Sequence, residues 1–436
     1  MDGAVKVRFT ESKRWTTADG IAMIMLQRSC IHPKTPEALM SRVVTAALAV
    51  AAFLVLPAFV RESAARPPMP AELPTSAAPD SFHVVFETTK GTFVARAHRA
   101  WSPHAVDRLY HLVNAGFYDG TVIFRVGPTV NYKGGLVVQF GITNDGAVNA
   151  AWDTTGIPDE PVIQGHRRGR IYFARGGPNT RSTQLAIDLT ANTPLDTVSS
   201  EGVVGFPAIG EVSAGIDLLG GLQRKHGNTI FEHWDSVTAQ GRAFLDRKYP
   251  GLDRIERATI GVATEAGIIA LGGEVRRATD RPGAPIVYAN LYSTAITDAD
   301  LVGISSHAEL ESLDVYRTEI TDAGVAHIAG CARVSYLNLF RTRVGDAGVA
   351  RLSRLRELET LILGGTAVTD RGLAALEPLK ALRKVSVAET AVGDAGLEHL
   401  VDLPKLEVVL TGSSKVTEAG QARLSKARPG VQFTVP

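Results

Sequence analysis

Arg125 and Gln139 stand near the two ends of the stretch FRVGPTVNYKGGLVVQFG, residues 124–141. A guanidinium stays protonated and presents a rigid fork of N–H groups. A primary amide both donates and accepts. Side by side, the two could hold a polar substrate group and aim a charged donor at it. Taken alone, an arginine in a β domain is more often a surface ion-pair partner, and a glutamine is more often solvated. The two cysteines, Cys30 and Cys331, are about three hundred residues apart. They make neither a disulfide framework nor a metal cluster, so redox and zinc chemistry are not expected. Whether Arg125 and Gln139 meet depends on the elements that carry them.

Residues 82–98 alternate apolar and polar side chains around Lys90-Gly91, the pattern of a β-hairpin. A helix follows: Ser102 suits the N-cap, Pro103 the first helical position, and Ala105, Val106, Leu109, Leu112 and Val113 form a stripe that Gly116 ends. Short apolar runs at 121–126, 136–140, 169–173 and 185–189 are separated by Gly, Asn and Pro. They predict a small antiparallel barrel with helices packed on it. Arg125 then closes one strand and Gln139 lies on another. If those strands are neighbours, the residues between them can loop out without parting the two side chains.

The series FETTKGTF (86–93), FYDGTVIFRV (117–126), VVQFG (137–141), GRIYFARGGPNTRSTQLAIDL (169–189) and IGEVSAGIDLLGGL (209–222) resembles the cyclophilin-type peptidyl-prolyl isomerases. FRV followed by VQFG, with the tail LDRIERATI (252–260), is similar to bacterial exported forms. The resemblance implies an eight-stranded closed barrel capped by two helices, and rotation about X-Pro amides as the chemistry. The barrier of roughly 18–20 kcal/mol comes from amide resonance. Such a site needs an apolar slot for the pyrrolidine ring, a donor aimed at the amide and groups that hold the flanking backbone. The resemblance makes Arg125 the donor and Gln139 its positioning partner on the substrate carbonyl. It places Leu136, Val137, Phe173 and Leu195 around the slot, and Ala174 and Gln184 against the substrate backbone. No cofactor or metal is implied.

Three departures stand out. Ala186 falls where the family has a phenylalanine on the slot floor, which predicts a wider or weaker slot. Pro194 falls at a position that often carries tryptophan, and Phe206 at the usual histidine, where it would partly refill the space. Residues 131–135 lengthen the Arg125-to-Gln139 spacing and bring Tyr132 within reach of the slot.

Beyond residue 260 the texture changes. Asp298, Asp322, Asp346, Asp370 and Asp394 recur every 24 residues, in step with threonines from Thr294 to Thr390 and core positions Leu291, Val315, Leu339, Leu363 and Val387. The unit L-x-L-x-x-T-x-[IV]-x-D-x-G-[LV]-x-x-[LI] is similar to a leucine-rich repeat, with each acid opening a short helix. One repeat cannot bury its apolar edge, so the units must stack into an α/β solenoid. Tyr292, Tyr316 and Phe340 fall in one row on strands about 4.7–4.9 Å apart, with Arg317 and Arg341 one step further. They predict an aromatic ladder, either stacked on itself or serving as a protein-recognition patch on the concave face.

With 46 Lys+Arg against 45 Asp+Glu, a nucleic-acid partner is not expected. Residues 43–60 carry no charge, with Arg42 before and Arg61 after. This run reads first as a signal peptide, with Pro57 as its breaker and Ser63-Ala64-Ala65 for cleavage, and second as an uncleaved anchor. Residues 1–39 lack periodicity, and Met40-Ser41-Arg42 would make a normal n-region for a start at Met40. Residues 66–80, rich in Pro and Ala, predict an extended spacer. The expectation is a multidomain, exported protein, periplasmic or membrane-anchored: an N-terminal extension (1–39), a signal segment (40–65), a spacer (66–80), a cyclophilin-type antiparallel barrel (81–260) acting on proline-containing substrates, and a leucine-rich-repeat solenoid (261–436). The rival reading is a proline-segment binding protein that has lost turnover, with the repeats carrying partner binding.

Overall fold

The computed structural model describes residues 66–129 and 135–434. The apolar run at 43–60 and Tyr132 lie outside these residues. Among the described residues, no helix is long and apolar enough to cross a membrane.

The hairpin forms as its alternation predicts: β1 (Ser81–Thr88) and β2 (Gly91–His98) pair antiparallel. Gly91 is required at the turn, since its φ of +123° favours glycine and a Cβ there would lie 2.6 Å from Leu218. Six more strands complete the sheet: β3 (Arg125–Pro128), β4 (Leu136–Phe140), β5 (Arg170–Phe173), β6 (Leu185–Asp188), β7 (Ala208–Ala214) and β8 (Ile255–Ile260). Their order is β8-β1-β2-β7-β5-β6-β4-β3, antiparallel throughout. The sheet curls until the segments before its two edge strands touch, through the Val122–Arg254 bridge and Ile123 N–H donating to the Asp253 carbonyl at 2.8 Å. Where the resemblance implies closure by strand pairing, these edge contacts do the joining. Phe82, Phe86, Phe93, Val138, Phe140, Ile171 and Phe173 fill the interior with the apolar stripe of α1 (Pro103–Asn114).

Three expectations are corrected here. Ser102 does not cap α1 with its side chain; its hydroxyl donates to Glu160, whose other oxygen accepts the His104 N–H at 2.8 Å. Glu160 is in turn held by the fully buried Arg181. The Pro/Ala-rich stretch from residue 66 is not a free spacer. Ala78 is buried, Met69 and Leu73 pack on the barrel core, and Trp152 of α2 (Gly146–Asp153) donates its indole N–H to the Pro68 carbonyl at 2.9 Å. Finally, the sheet carries more than two helices. The helices α3 (Trp234–Gln240) and α4 (Arg242–Lys248), broken apart at Gly241 with φ +54°, pack Val237, Phe244 and Leu245 on Val122, Phe124 and Ile142 as a second small core.

The C-terminal region has a separate sheet. β9 (Glu274–Arg277) pairs antiparallel with β10 (Ile286–Asn290). Then β11 (Ser312–Asp314), β12 (Tyr336–Asn338), β13 (Thr360–Ile362), β14 (Lys384–Ser386), β15 (Val408–Leu410) and β16 (Gln432–Thr434) add in parallel, in sequence order. Leu313, Leu337, Leu361, Val385 and Val409 stack through the middle, each fully buried. The aspartates reach further than helix capping requires. Each sits first in its helix or turn, and its carboxylate accepts the N–H of the residue 23 positions on, at 2.7 Å: Thr321 on Asp298, Gly345 on Asp322, Thr369 on Asp346, Gly393 on Asp370 and Thr417 on Asp394. They staple each unit to the next. The glycine of the motif leaves room for this carboxylate, since a Cβ on Gly348 would lie 2.5 Å from an Asp322 oxygen.

At the motif position where later units have Gly324, Gly348, Gly372, Gly396 and Gly420, the first has Asp300. Asp300 is fully buried and accepts from the His83 backbone N–H (2.7 Å), His83 Nδ1 (3.0 Å), Thr297 N–H (2.7 Å) and Thr297 Oγ1 (3.0 Å). His83 lies on β1. The two sheets therefore meet through a buried contact within one compact unit, Ala65–Pro436.

Candidate functional site

β3 and β4 are neighbours, and Arg125 pairs directly with Gln139. Cross-strand partners share a face of the sheet, so the two side chains meet: Arg125 Nη1 donates to Gln139 Oε1 at 3.0 Å. Gln139 Nε2 donates onward to Gln184 Oε1 at 3.0 Å. The glutamine thus uses its acceptor on the guanidinium and its donor on Gln184, which fixes its orientation. Arg125 Nε donates to Asn228 Oδ1 at 2.8 Å, Nη2 donates to the Pro128 carbonyl, and the Phe231 ring lies 5.2 Å from the guanidinium carbon. Of the five N–H groups of a guanidinium, three are engaged among the described residues, one on each nitrogen. Arg125 is 7% exposed, and burial pulls its pKa below the ordinary value, opposed by Tyr172. An arginine so placed keeps its charge.

The same register carries the row onward. Gln139 pairs with Ala186 on β6, and Ala186 pairs with Tyr172 on β5. Tyr172, Ala186, Leu195 and Phe206 form a small apolar cluster of their own, separate from the barrel core. This gathers Ala186, Leu195 and Phe206 beside the Arg125–Gln139 pair. Val137 is buried and precedes Val138, which turns into the barrel, so alternation along β4 puts Val137 on the Gln139 face. Ala174 follows β5, where its N–H donates to the Gln184 carbonyl at 2.8 Å. Phe173 is a correction. Fully buried on the opposite face of β5, it belongs to the barrel core, while its neighbour Tyr172 joins the small cluster with Ala186, Leu195 and Phe206. Leu136 likewise leans on the barrel core.

Tyr172, Asn228 and Phe231 escape the sequence reading. Tyr172 is one residue out of phase with Phe173, and strand alternation puts Tyr172 on the Gln139 face and Phe173 in the barrel core. Asn228 and Phe231 come from a segment about a hundred residues after Arg125, with no motif to link them to it. His166 is satisfied on both ring nitrogens: Nδ1 lies 2.7 Å from Asp188 Oδ2 and Nε2 lies 2.6 Å from the Phe206 carbonyl. It ties the loop bearing Phe206 to β6. Burial pushes the Asp188 carboxyl up, against the pull of His166 and Asn192.

The match to known families falls on these residues. Residues 83–239 match the cyclophilin type peptidyl-prolyl cis-trans isomerase family. This segment is a cyclophilin-type isomerase domain. The chain is 28% identical over 116 residues to peptidyl-prolyl cis-trans isomerase ppi1 of Schizosaccharomyces pombe, covering 26% of this chain and 72% of that relative. Among solved structures it is similar to a cyclophilin type peptidyl-prolyl cis-trans isomerase of Cryptosporidium parvum, at 16% identity over 41% of this chain and 97% of that one, with a TM-score of 0.29. It is also similar to an internalin of Listeria monocytogenes, at 19% identity over 33% of this chain and 38% of that one, with a TM-score of 0.29.

Outside the cyclophilin domain, the predicted ladder is present. Tyr292 stacks on Tyr316 at 4.8 Å between ring centroids, and Tyr316 on Phe340 at 5.2 Å. The Arg317 guanidinium lies 5.5 Å from the Tyr316 ring and that of Arg341 lies 5.2 Å from the Phe340 ring; Arg341 also pairs with Glu389 at 2.9 Å. The ladder stops at Gly364, whose Cβ would lie 2.5 Å from Phe340. Both arginines hold φ values above +50°, a region that costs a side-chain-bearing residue on the order of 1 kcal/mol or more.

Proposed function

We propose that this protein accelerates cis–trans rotation about X-Pro bonds in exported proteins and so assists their folding, while its repeat region acts as a leucine-rich-repeat arm that recognises a protein partner. The contact between Arg125 and Gln139, beside a separate apolar cluster, carries the reading. Rotation needs the amide nitrogen to keep its lone pair, and a fixed cationic donor next to an apolar slot favours that state over the planar ground state. Gln139, locked between Arg125 and Gln184, would hold the substrate carbonyl. The uncharged run at 43–60 supports export, with the protein periplasmic or membrane-anchored. The exposed Tyr292, with Tyr316, Phe340, Arg317 and Arg341, supplies aromatic and arginine groups of the kind that anchor protein partners.

One observation favours a second reading, a proline-segment binder without turnover. Asn228 and Phe231 hold Arg125 so that little of it is exposed. The test is a proline-isomerisation assay on short X-Pro peptides with a parallel binding titration. A rate above the uncatalysed background supports catalysis. Binding without a rate supports the second reading, and neither rate nor binding contradicts both. Export is tested on protein from its native host: a cytosolic protein beginning before Met40 contradicts it.

A further inference from the structure

The row of paired residues Arg125, Gln139, Ala186 and Tyr172 crosses four strands on one face. Directly paired residues have Cβ atoms about 4.5–5.5 Å apart, so a large side chain at either of the last two positions occupies space above the other. Ala186 is 3% exposed and Tyr172 is 4% exposed. Tyr172 packs on Ala186, Leu195 and Phe206, its ring edge-on to Phe206 at 5.8 Å and to His166 at 4.6 Å. Phe206 is covered on one side by the Arg175 guanidinium at 4.8 Å, which also donates to the Val203 and Gly205 carbonyls. The missing bulk at Ala186 is therefore not an empty slot.

We propose that Tyr172 forms the floor of the proline slot in place of residue 186, and that the exchange between these two positions sets which prolyl segments the site accepts. A pyrrolidine ring would rest against the outer edge of the cluster that Tyr172 supports, with Gln139 and Arg125 at the amide. The floor is then an aromatic ring bearing a hydroxyl in the field of Arg125, so segments that present a polar group beside the proline are favoured over wholly apolar ones. This assignment rests on the isomerase reading above.

The test uses the full chain and four variants, Tyr172→Ala, Tyr172→Phe, Ala186→Phe and the double variant Tyr172→Ser/Ala186→Phe, each assayed for kcat/KM and binding with short X-Pro peptides, and for Tm. Tyr172→Ala should lower kcat/KM by about ten- to hundredfold, through KM more than kcat, because the contact is to the ring and not to the rotating bond. Ala186→Phe should lower it at least about tenfold by overpacking. The double variant should recover to within about threefold of the parent, a difference under ~1 kcal/mol. Tyr172→Phe should keep the rate on apolar peptides and lose preference for the polar-flanked ones. Full activity in Ala186→Phe or in Tyr172→Ala overturns the proposal, as does a double variant that keeps the parent Tm but stays as poor as Ala186→Phe. In both cases the active parent leaves the isomerase reading intact. A parent with neither turnover nor binding overturns both.

Discussion

The curled sheet and the repeat sheet both bury apolar strands, but they assemble their surfaces by opposite rules. In the repeats, the parallel strand pairs, the aspartate staples and the aromatic ladder all join positions about 23–24 residues apart. In the cyclophilin domain, one face of the sheet gathers residues 125, 139, 172, 186 and 206, and the arginine is held by residue 228. A periodic array defines a face by repetition, whereas the barrel defines a slot through long-range register. The repeat face should therefore change in small local steps and the slot in abrupt ones. Asp300 is where the two rules meet, because one repeat gives up its glycine to serve the barrel.

The largest effect should come at that junction. Asp300→Ala takes the acceptor from the buried His83 and the half-buried Thr297, at about 1–3 kcal/mol for each donor left unsatisfied. Urea unfolding followed by tryptophan fluorescence should register it, although Asp300 lies beyond the cyclophilin domain and the described tryptophans, Trp101, Trp152 and Trp234, lie on the barrel side. An unchanged fluorescence midpoint would mean that the two regions are energetically separate. Next in size, Gly348→Ala should cost about 1–3 kcal/mol, since the new methyl meets Asp322 and Val344. Its hydrogen-exchange footprint should stay within the adjoining units, and a footprint reaching the barrel would contradict local propagation along the repeats. Replacing Tyr316 and Phe340 together by Ala removes two stacked contacts, each about 0.5–1.5 kcal/mol. Capture of a partner should weaken while isomerisation of a short peptide keeps its rate; equal loss of both would give the ladder a purely structural role.

The smallest effect is a pH dependence. Burial pushes the Cys331 thiol up to about 12 from the 9.0 of a free thiol. Since the folded value is the higher one, the associated stability is complete below pH 9 and is lost as pH rises toward 12. Cys331→Ala should flatten that decline, and alkylation of native Cys331 at pH 8 should be slow. Rapid alkylation of the folded protein would contradict its 1% exposure.

What was legible in the sequence follows the same division. Periodicity exposed the repeat unit and the ladder row directly, because a constant step needs no knowledge of the fold. It did not show that each aspartate serves the following unit, a fact of stacking. In the barrel, motifs located Arg125, Gln139, Gln184, Ala186, Leu195 and Phe206. Phe173, placed beside the substrate by the resemblance, faces the barrel core, and its neighbour Tyr172 faces the Gln139 side, because one residue along a strand reverses the face. Asn228 and Phe231 reach Arg125 from a distant segment whose packing on Val122 and Phe124 depends on tertiary structure alone.

Under the proposed function, Arg125, positioned by Gln139, is the donor that lowers the rotation barrier. Its direct test is the isomerisation rate of an X-Pro peptide with parent protein, Arg125→Ala and Arg125→Lys, each checked for folding. The alanine variant should be slower by about a hundredfold to a thousandfold, equivalent to roughly 2.7–4 kcal/mol, and lysine should restore little because an ammonium lacks the planar fork that meets Gln139, Asn228 and Pro128 together. An Arg125→Ala protein that isomerises the peptide as fast as the parent would contradict the account.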